Sequence, residues 1–266
     1  MLTRLAGASV RAALVAVTVA IPAVMLPDVS PNSAELSILL AAIAAAFVIF
    51  EYGFASPSLI EFRFAAPYNR LRFGILAALL VLLVFAFRGP VDTTAGVLAV
   101  STFAQASFDF WNFNYSPLHA FMALSAATGP QNQILLGNAS ALALSVTALG
   151  VLLPGIVVWT FGWPVGRDNF NLWINMPTFD VGGSNAVANL RRTAIMSAAF
   201  GFAFPFLAPY VALSFLGPLG MLTSNNSQFL VWIIAIWCFV PAASLLRAIA
   251  LFKIASLIGT DQTVTV

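Results

Sequence analysis

One histidine and one carboxylate in the stretch FDFWNFNYSPLHAF, Phe108 to Phe121, are residue types that can move a proton. His119 is the only histidine of the chain, and Asp109 is the acid nearest to it in sequence. Imidazole titrates near neutral pH, and a neighbouring carboxylate can fix its tautomer, as a general base requires. The surrounding aromatic residues are, however, typical of an interfacial belt. Asp109 and His119 are therefore acid/base candidates, but the sequence does not show that their side chains are in contact.

A second group of polar residues could line a path through a membrane. The stretch GPQNQILLGNAS, Gly129 to Ser140, is the most polar beginning of any apolar segment. Its amide side chains could line a vestibule, or they could join helices by hydrogen bonds, which is the favoured interpretation. A charge in the middle of an apolar segment, which coupled transporters normally have, is missing. The conduit candidates are Gln105, Gln131, Gln133 and Asn138.

Known catalytic, phosphate-binding and metal-binding motifs are missing from the sequence. It contains no GxSxG, no HExxH and no glycine-rich phosphate loop with a lysine. The single cysteine, Cys238, excludes an intrachain disulfide or a CxxC site, and one histidine with scattered carboxylates does not predict a metal site. We therefore expect no catalytic, cofactor or metal residues, although an apolar groove needs no motif to hold a lipid or a pigment.

The composition requires lipid as the solvent of this chain. Hydrophobic residues make up 61% of the 266 residues, and only 8% are charged. No polar stretch is long enough to fold separately in water, so residues 1–266 are expected to form a single integral membrane domain. The net charge of +2 is spread along the chain, which argues against binding of nucleic acid.

Six apolar stretches are long enough, or nearly so, to cross about 30 Å of hydrocarbon as helices. The predicted fold is thus an all-α polytopic membrane bundle whose first span is retained rather than cleaved as a signal peptide. Pro205 and Pro209 are expected to bend the fifth span, and neighbouring groups must then satisfy the freed carbonyls. The predicted spans are Val10–Leu26, Leu36–Phe54, Leu71–Phe87, Ile134–Trp163, Arg192–Leu216 and Gln228–Ile258.

The segment 89–133 between the third and fourth spans is apolar but interrupted by polar residues and proline. It could form a re-entrant pair, two interfacial helices or a hairpin that crosses twice, and each leaves the topology of the other spans unchanged. With both termini cytoplasmic, every cation except Arg88 lies inside, as the excess of Lys and Arg in cytoplasmic loops requires. We therefore expect a plasma or inner membrane protein with an outer-side insertion.

Two connections on the predicted cytoplasmic side could contact lipid or a partner. The stretch Ser56 to Phe73 has a capping pattern followed by cations at the headgroup level, and it is interpreted mainly as a membrane-surface anchor. The longer loop 164–192 carries apolar side chains that could fold back on the membrane or dock a partner. The interface candidates are Glu61, Arg63, Arg70, Arg72, Trp173, Arg191 and Arg192.

Three functions are compatible with this sequence. The lack of catalytic and cofactor motifs, together with abundant apolar contact surface, favours a non-catalytic accessory, assembly or scaffold subunit. Its partners would be lipids, other membrane proteins or a second copy of the chain. The alternative is a transporter or channel for a small neutral or amphipathic solute, indicated by the polar Gly129 to Ser140 segment and the broken helices. An intramembrane enzyme acting on lipid through Asp109 and His119 is the third.

Overall fold

The computed structural model describes residues 2–27, 29–53, 66–125, 130–161, 186–216 and 226–264. Within them the backbone is helical almost throughout, and no strand occurs in these ranges. The helices are α1 (Leu2–Met25), α2 (Pro31–Gly53), α3 (Ala66–Arg88), α4 (Ala95–Trp111), α5 (Pro117–Ser125), α6 (Pro130–Thr160), α7 (Ala186–Leu216) and α8 (Ser227–Val264).

Six of the described helices, namely α1, α2, α3, α6, α7 and α8, are long and apolar enough to cross a membrane. A helix satisfies its own backbone hydrogen bonds, which hydrocarbon cannot do, so an apolar chain of this kind folds as a bundle of spans. The predicted all-α membrane bundle with six spans is confirmed. The protein is an integral, multi-pass membrane protein.

Contacts between helix ends show how the spans are oriented relative to one another. The Arg88 side chain at the end of α3 donates to the Met25 carbonyl at the end of α1, at 3.4 Å. The Gln228 amide at the start of α8 donates to Ser37 near the start of α2. We call this end of the bundle the far end. The first residues of α1 and the last of α8 therefore lie together at the opposite end, the termini end.

The centre of the bundle is formed by α3, α6 and α8 and is closed by aliphatic side chains. Their largest fully buried side chains include Leu79, Leu83, Leu142 and Ile234. Gly150 of α6 faces Ile75 of α3 so closely that an added Cβ would lie 2.8 Å from Cγ1 of that isoleucine. In lipid the hydrophobic effect does not drive helices together, so helix association depends on close packing, which small residues such as glycine permit.

The shorter helices α4 and α5 connect the end of α3 to the start of α6 at the far end. At 1.5 Å per residue, α4 is about 25 Å long and α5 about 13 Å, so α5 is too short to cross the membrane. The chain therefore enters the bundle through α4, turns at Asn112–Ser116, and returns through α5 to the same end. The three arrangements predicted for 89–133 relative to the membrane stay predictions, and residues 126–129 of this segment lie outside the described residues.

Candidate functional site

The turn between α4 and α5, Asn112–Ser116, interrupts the helical backbone beside α6 and α7. Ser116 caps α5, since its hydroxyl accepts from the His119 amide at 3.2 Å, and Pro117 occupies the first helical position. Tyr115 has a φ of 66°, a left-handed conformation that a bulky residue adopts only where the fold demands it. The turn is thus a specific, tightly built reversal of the chain.

Three contacts place this turn below the surface of the far end. The indole of Trp111 donates to the hydroxyl of Ser145, the central residue of α6, at 3.0 Å. The ring of Phe121 lies 4.6 Å from that of Trp237, about three turns into α8. Both helices of the pair also meet α6 at Gly137. The hairpin is therefore embedded among the spans and does not rest on top of them.

Gly137 is where the close approach of the pair to α6 depends on a missing side chain. A Cβ at this position would lie 2.8 Å from Cε2 of Phe108 in α4 and 3.2 Å from Sδ of Met122 in α5. Any larger residue would displace one of the two helices. The stretch Gly129 to Ser140, whose amides were predicted to join helices or, as the alternative, to line a vestibule, thus also contains a glycine that permits close helix packing.

A pocket of about 620 Å³ opens between the turn and α7. Its buried side is formed by Ser116, which is 2% exposed, and Ala120, which is 6% exposed. Tyr115 is 93% exposed and therefore lies at the rim. None of the described residues that line it carries a formal carboxylate, ammonium or guanidinium group. They are Asn114, Tyr115, Ser116, His119, Ala120, Phe206 and Tyr210.

The structure places the two acid/base candidates on different helices and does not join them. His119 lines the pocket, whereas Asp109 lies exposed on α4 and is not among the described lining residues. Within the described part of the chain, neither side chain bonds to the other. The arrangement therefore offers no oriented imidazole of the kind that a general base needs.

The conduit candidates do not converge on a common path through the described bundle. Gln105 is exposed on α4, and Gln133 and Asn138 are partly buried on the first turns of α6. The side chain of Gln131 lies outside the described residues. Because the space between α3, α6 and α8 is filled by leucine and isoleucine, these amides have no central channel to line.

The described interface candidates lie at the termini end. Arg70, Arg191 and Arg192 are exposed there, and the guanidinium of Arg72 lies 5.4 Å from the ring centroid of Tyr68. Stacking of this kind lets a cation remain at the membrane surface while its stem contacts apolar groups. Glu61, Arg63 and Trp173, with most of both predicted docking loops, fall outside the described residues.

Sequence reasoning missed the α7 side of the pocket. Phe206 and Tyr210 are one helical turn apart and line the same opening, but neither was among the predicted candidate site residues. The available signal was the i, i+4 spacing of two aromatic residues around Pro209. The Ser116–Pro117 pair was a second signal, because it predicts a helix start inside an apolar segment.

No cluster of three or more histidine, cysteine or acidic residues able to hold a metal occurs among the residues that the structure describes. No protein-family model, curated protein or solved structure matches the chain.

Proposed function

We propose that this protein is a non-catalytic accessory, assembly or scaffold subunit that packs against another membrane protein at its embedded turn. The observation that carries the proposal is the exposure of the turn. Within the turn, Tyr115 is 93% exposed and Phe113 52%, and Phe110 in the last turn of α4 is 71% exposed, although the adjoining Trp111 bonds to the centre of α6. An aromatic, non-helical surface at this depth is suited to contact with protein.

The physical reason is the cost of irregular backbone in hydrocarbon. The amides of Asn114 and Tyr115 donate to no acceptor among the described residues, and a backbone group left unpaired in lipid costs several kcal/mol, that is, roughly 2–7. Such backbone is tolerated where protein buries it or where it lines a wet cavity. A helix of a partner protein beside the turn could supply the missing acceptors.

The remaining surfaces agree with an accessory role. The filled centre between α3, α6 and α8 offers no passage among the described residues. Helix α2 leaves most of its apolar side chains exposed, including Leu36, Ile43 and Phe50, and these match the surrounding lipid. For location we propose a plasma or inner membrane with both termini in the cytoplasm, because the described cations other than Arg88 lie at the termini end.

Site-specific cross-linking in the native membrane tests the accessory role. A photoreactive amino acid at Tyr115 should give one discrete protein adduct, and the same substitution at Phe47 of α2, an exposed aromatic residue away from the turn, should not. Adducts of equal intensity from both positions, or none from Tyr115 at any expression level, would contradict the proposal.

The pocket favours one second function, the transport of a small neutral or amphipathic solute. Its lining combines hydrogen-bonding and aromatic groups beside a broken helix, as transporter sites do. Purified protein in liposomes should then take up such a solute, and Tyr210→Ala should slow uptake. An absence of uptake with folded, correctly inserted protein would remove transport without touching the accessory role.

A further inference from the structure

We propose that the pocket between the α4–α5 turn and α7 binds an uncharged amphiphile with a hydroxyl or carbonyl headgroup, taken directly from the membrane leaflet. The inference does not depend on the accessory role, since a bound lipid and a partner protein are detected by different experiments. Three features of the pocket carry it: its size and opening, its chemistry, and the apolar surface beside it.

The size and position of the pocket suit part of a lipid molecule. Its volume of about 620 Å³ is in the usual range of small-molecule sites. Phe206 and Tyr210 lie about three and two turns before the end of α7, so the opening faces the region beside the spans, below the far end. A membrane-soluble ligand can enter there without first passing through water.

The lining distinguishes between classes of headgroup. His119, Asn114, Ser116 and Tyr210 provide donors and acceptors, while the described lining includes no Lys, Arg, Asp or Glu. The cation at the far end, Arg88, is already bonded to Asp92 at 2.6 Å. A phosphate or carboxylate headgroup would enter this site without a paired charge, at high cost. A hydroxyl or carbonyl group meets no such penalty.

The apolar surface for the rest of the ligand continues along α7. Phe202, Leu207 and Val211 are exposed next to the pocket residues of the same helix. An acyl or polyprenyl chain lying on this surface would contact side chains as apolar as the surrounding lipid. The headgroup contacts at His119 and Asn114 must therefore provide the selectivity, which makes His119 the residue to test.

Photolabelling of the purified full-length protein in phosphatidylcholine nanodiscs tests this inference. The probe is a monoacylglycerol that carries a diazirine near the headgroup and an alkyne on the chain. We expect saturable labelling of peptides containing Ser116–Ala120 or Phe206–Tyr210, displaced by unlabelled monoacylglycerol. A phosphatidylglycerol probe with the same chain should label these peptides at least about fivefold less, the effect of roughly 1 kcal/mol of unpaired charge.

Two variants and one control complete the test. His119→Phe keeps an aromatic ring but removes the ring nitrogens, and Ala120→Leu fills the buried side, so each should lower labelling about five- to tenfold. Phe110→Leu, on the exposed face of α4 outside the pocket, should label like the wild type. Thermal unfolding of each variant identifies a loss that comes from misfolding.

The outcomes that overturn the inference are distinct. Labelling spread evenly over exposed helices such as α2, or unchanged by both His119→Phe and Ala120→Leu in folded protein, would mean that the pocket holds no specific ligand. Equal labelling by the anionic probe would overturn the uncharged class. Neither result bears on cross-linking of a protein partner from Tyr115.

Discussion

The indole nitrogen of Trp237 in α8 donates to the backbone carbonyl of Pro205 in α7, at 3.0 Å. This carbonyl is four residues before Pro209, which has no amide hydrogen to return the usual helical bond. A proline inside a span is tolerated when a neighbouring helix satisfies the carbonyl that it frees. Trp237 satisfies this carbonyl, and its ring centroid also lies 4.6 Å from that of Phe121 in the embedded hairpin, with the two rings tilted by 31°.

The first prediction is that the cost of removing this indole bond depends on Pro209. Trp237→Phe should lower the free energy of unfolding by about 1 kcal/mol, because Phe keeps a ring beside Phe121 but leaves the Pro205 carbonyl unpaired. In a Pro209→Ala background the new amide can satisfy that carbonyl, so the same substitution should cost clearly less. Unfolding by denaturing detergent in mixed micelles measures both values.

Trp232 provides the matched control on the same helix. It is partly buried, and its indole has no hydrogen bond to a described residue. Trp232→Phe should therefore cost the same whether residue 209 is Pro or Ala. If Trp237→Phe shows equal costs in the two backgrounds as well, the carbonyl-pairing explanation of the bond is wrong.

The second prediction concerns the close contact of α7 and α8 at Gly201. A Cβ at Gly201 would lie 2.8 Å from Cγ of Leu245 and 2.9 Å from the backbone oxygen of Pro241, and a backbone atom cannot move aside cheaply. Gly201→Ala should destabilise the protein by about 1 to 2 kcal/mol, the overpacking cost less the gain in helix propensity. Thermal unfolding in detergent measures the change.

Gly74 of α3 is the control for this substitution. An added Cβ there meets nothing within 4 Å, so only the propensity gain remains. Gly74→Ala should leave stability unchanged or raise it by up to about 1 kcal/mol. Destabilisation of similar size at both glycines would show that the α7–α8 contact is not the cause.

The third prediction is a pH dependence at the far end. The Thr94 amide donates to Oδ1 of Asp92 at 2.9 Å. This hydrogen bond is the main reason why the pKa of the Asp92 carboxyl lies below its ordinary value of 3.8, and the nearby Arg88 lowers that pKa further. Since the folded state favours the ionised carboxyl, the contribution of Asp92 to folding stability is fully present above the pKa that this carboxyl has in the unfolded chain. It is lost as the pH falls through the lowered folded pKa.

Asp92→Asn measures this contribution. The wild type should unfold at a higher temperature than the variant throughout the neutral and weakly acidic range, and the difference should shrink only in acid below about pH 4. The expected effect is small, because the carboxyl is near water. A difference that disappeared already between about pH 6 and pH 5 would assign the effect to another group.

The span positions followed from the sequence because runs of apolar residues and the length of a helix in lipid determine them almost alone. All six predicted spans overlap α1, α2, α3, α6, α7 and α8, although each helix begins before its predicted apolar run, by as much as eight residues for α1. The reason is that helices continue past the hydrocarbon. Pro31, Pro117 and Pro130 each begin a helix, as proline at a first position predicts.

The candidate site followed from the sequence only in part. His119 was recognised by its residue type, but its partners depend on α5 lying against α7, a pairing between distant segments that no local pattern encodes. Asp109 is near in sequence yet exposed on another helix. The polar segment Gly129 to Ser140 was interpreted through its amides, whereas Gly137 shapes the site by allowing Phe108 and Met122 to approach.

The fourth prediction concerns orientation, and the native thiol makes it simple to test. Cys238 is buried, 2% exposed, so Cys238→Ala gives a cysteine-free background with little change in shape. Val91 lies at the far end and is 70% exposed, whereas Arg192 is exposed at the termini end. With both termini cytoplasmic, a membrane-impermeant maleimide added to intact cells should label Val91→Cys and should label Arg192→Cys only after lysis. The reverse pattern would place the termini outside and Arg88, the one described cation at the far end, in the cytoplasm, against the retention of cationic residues on that side.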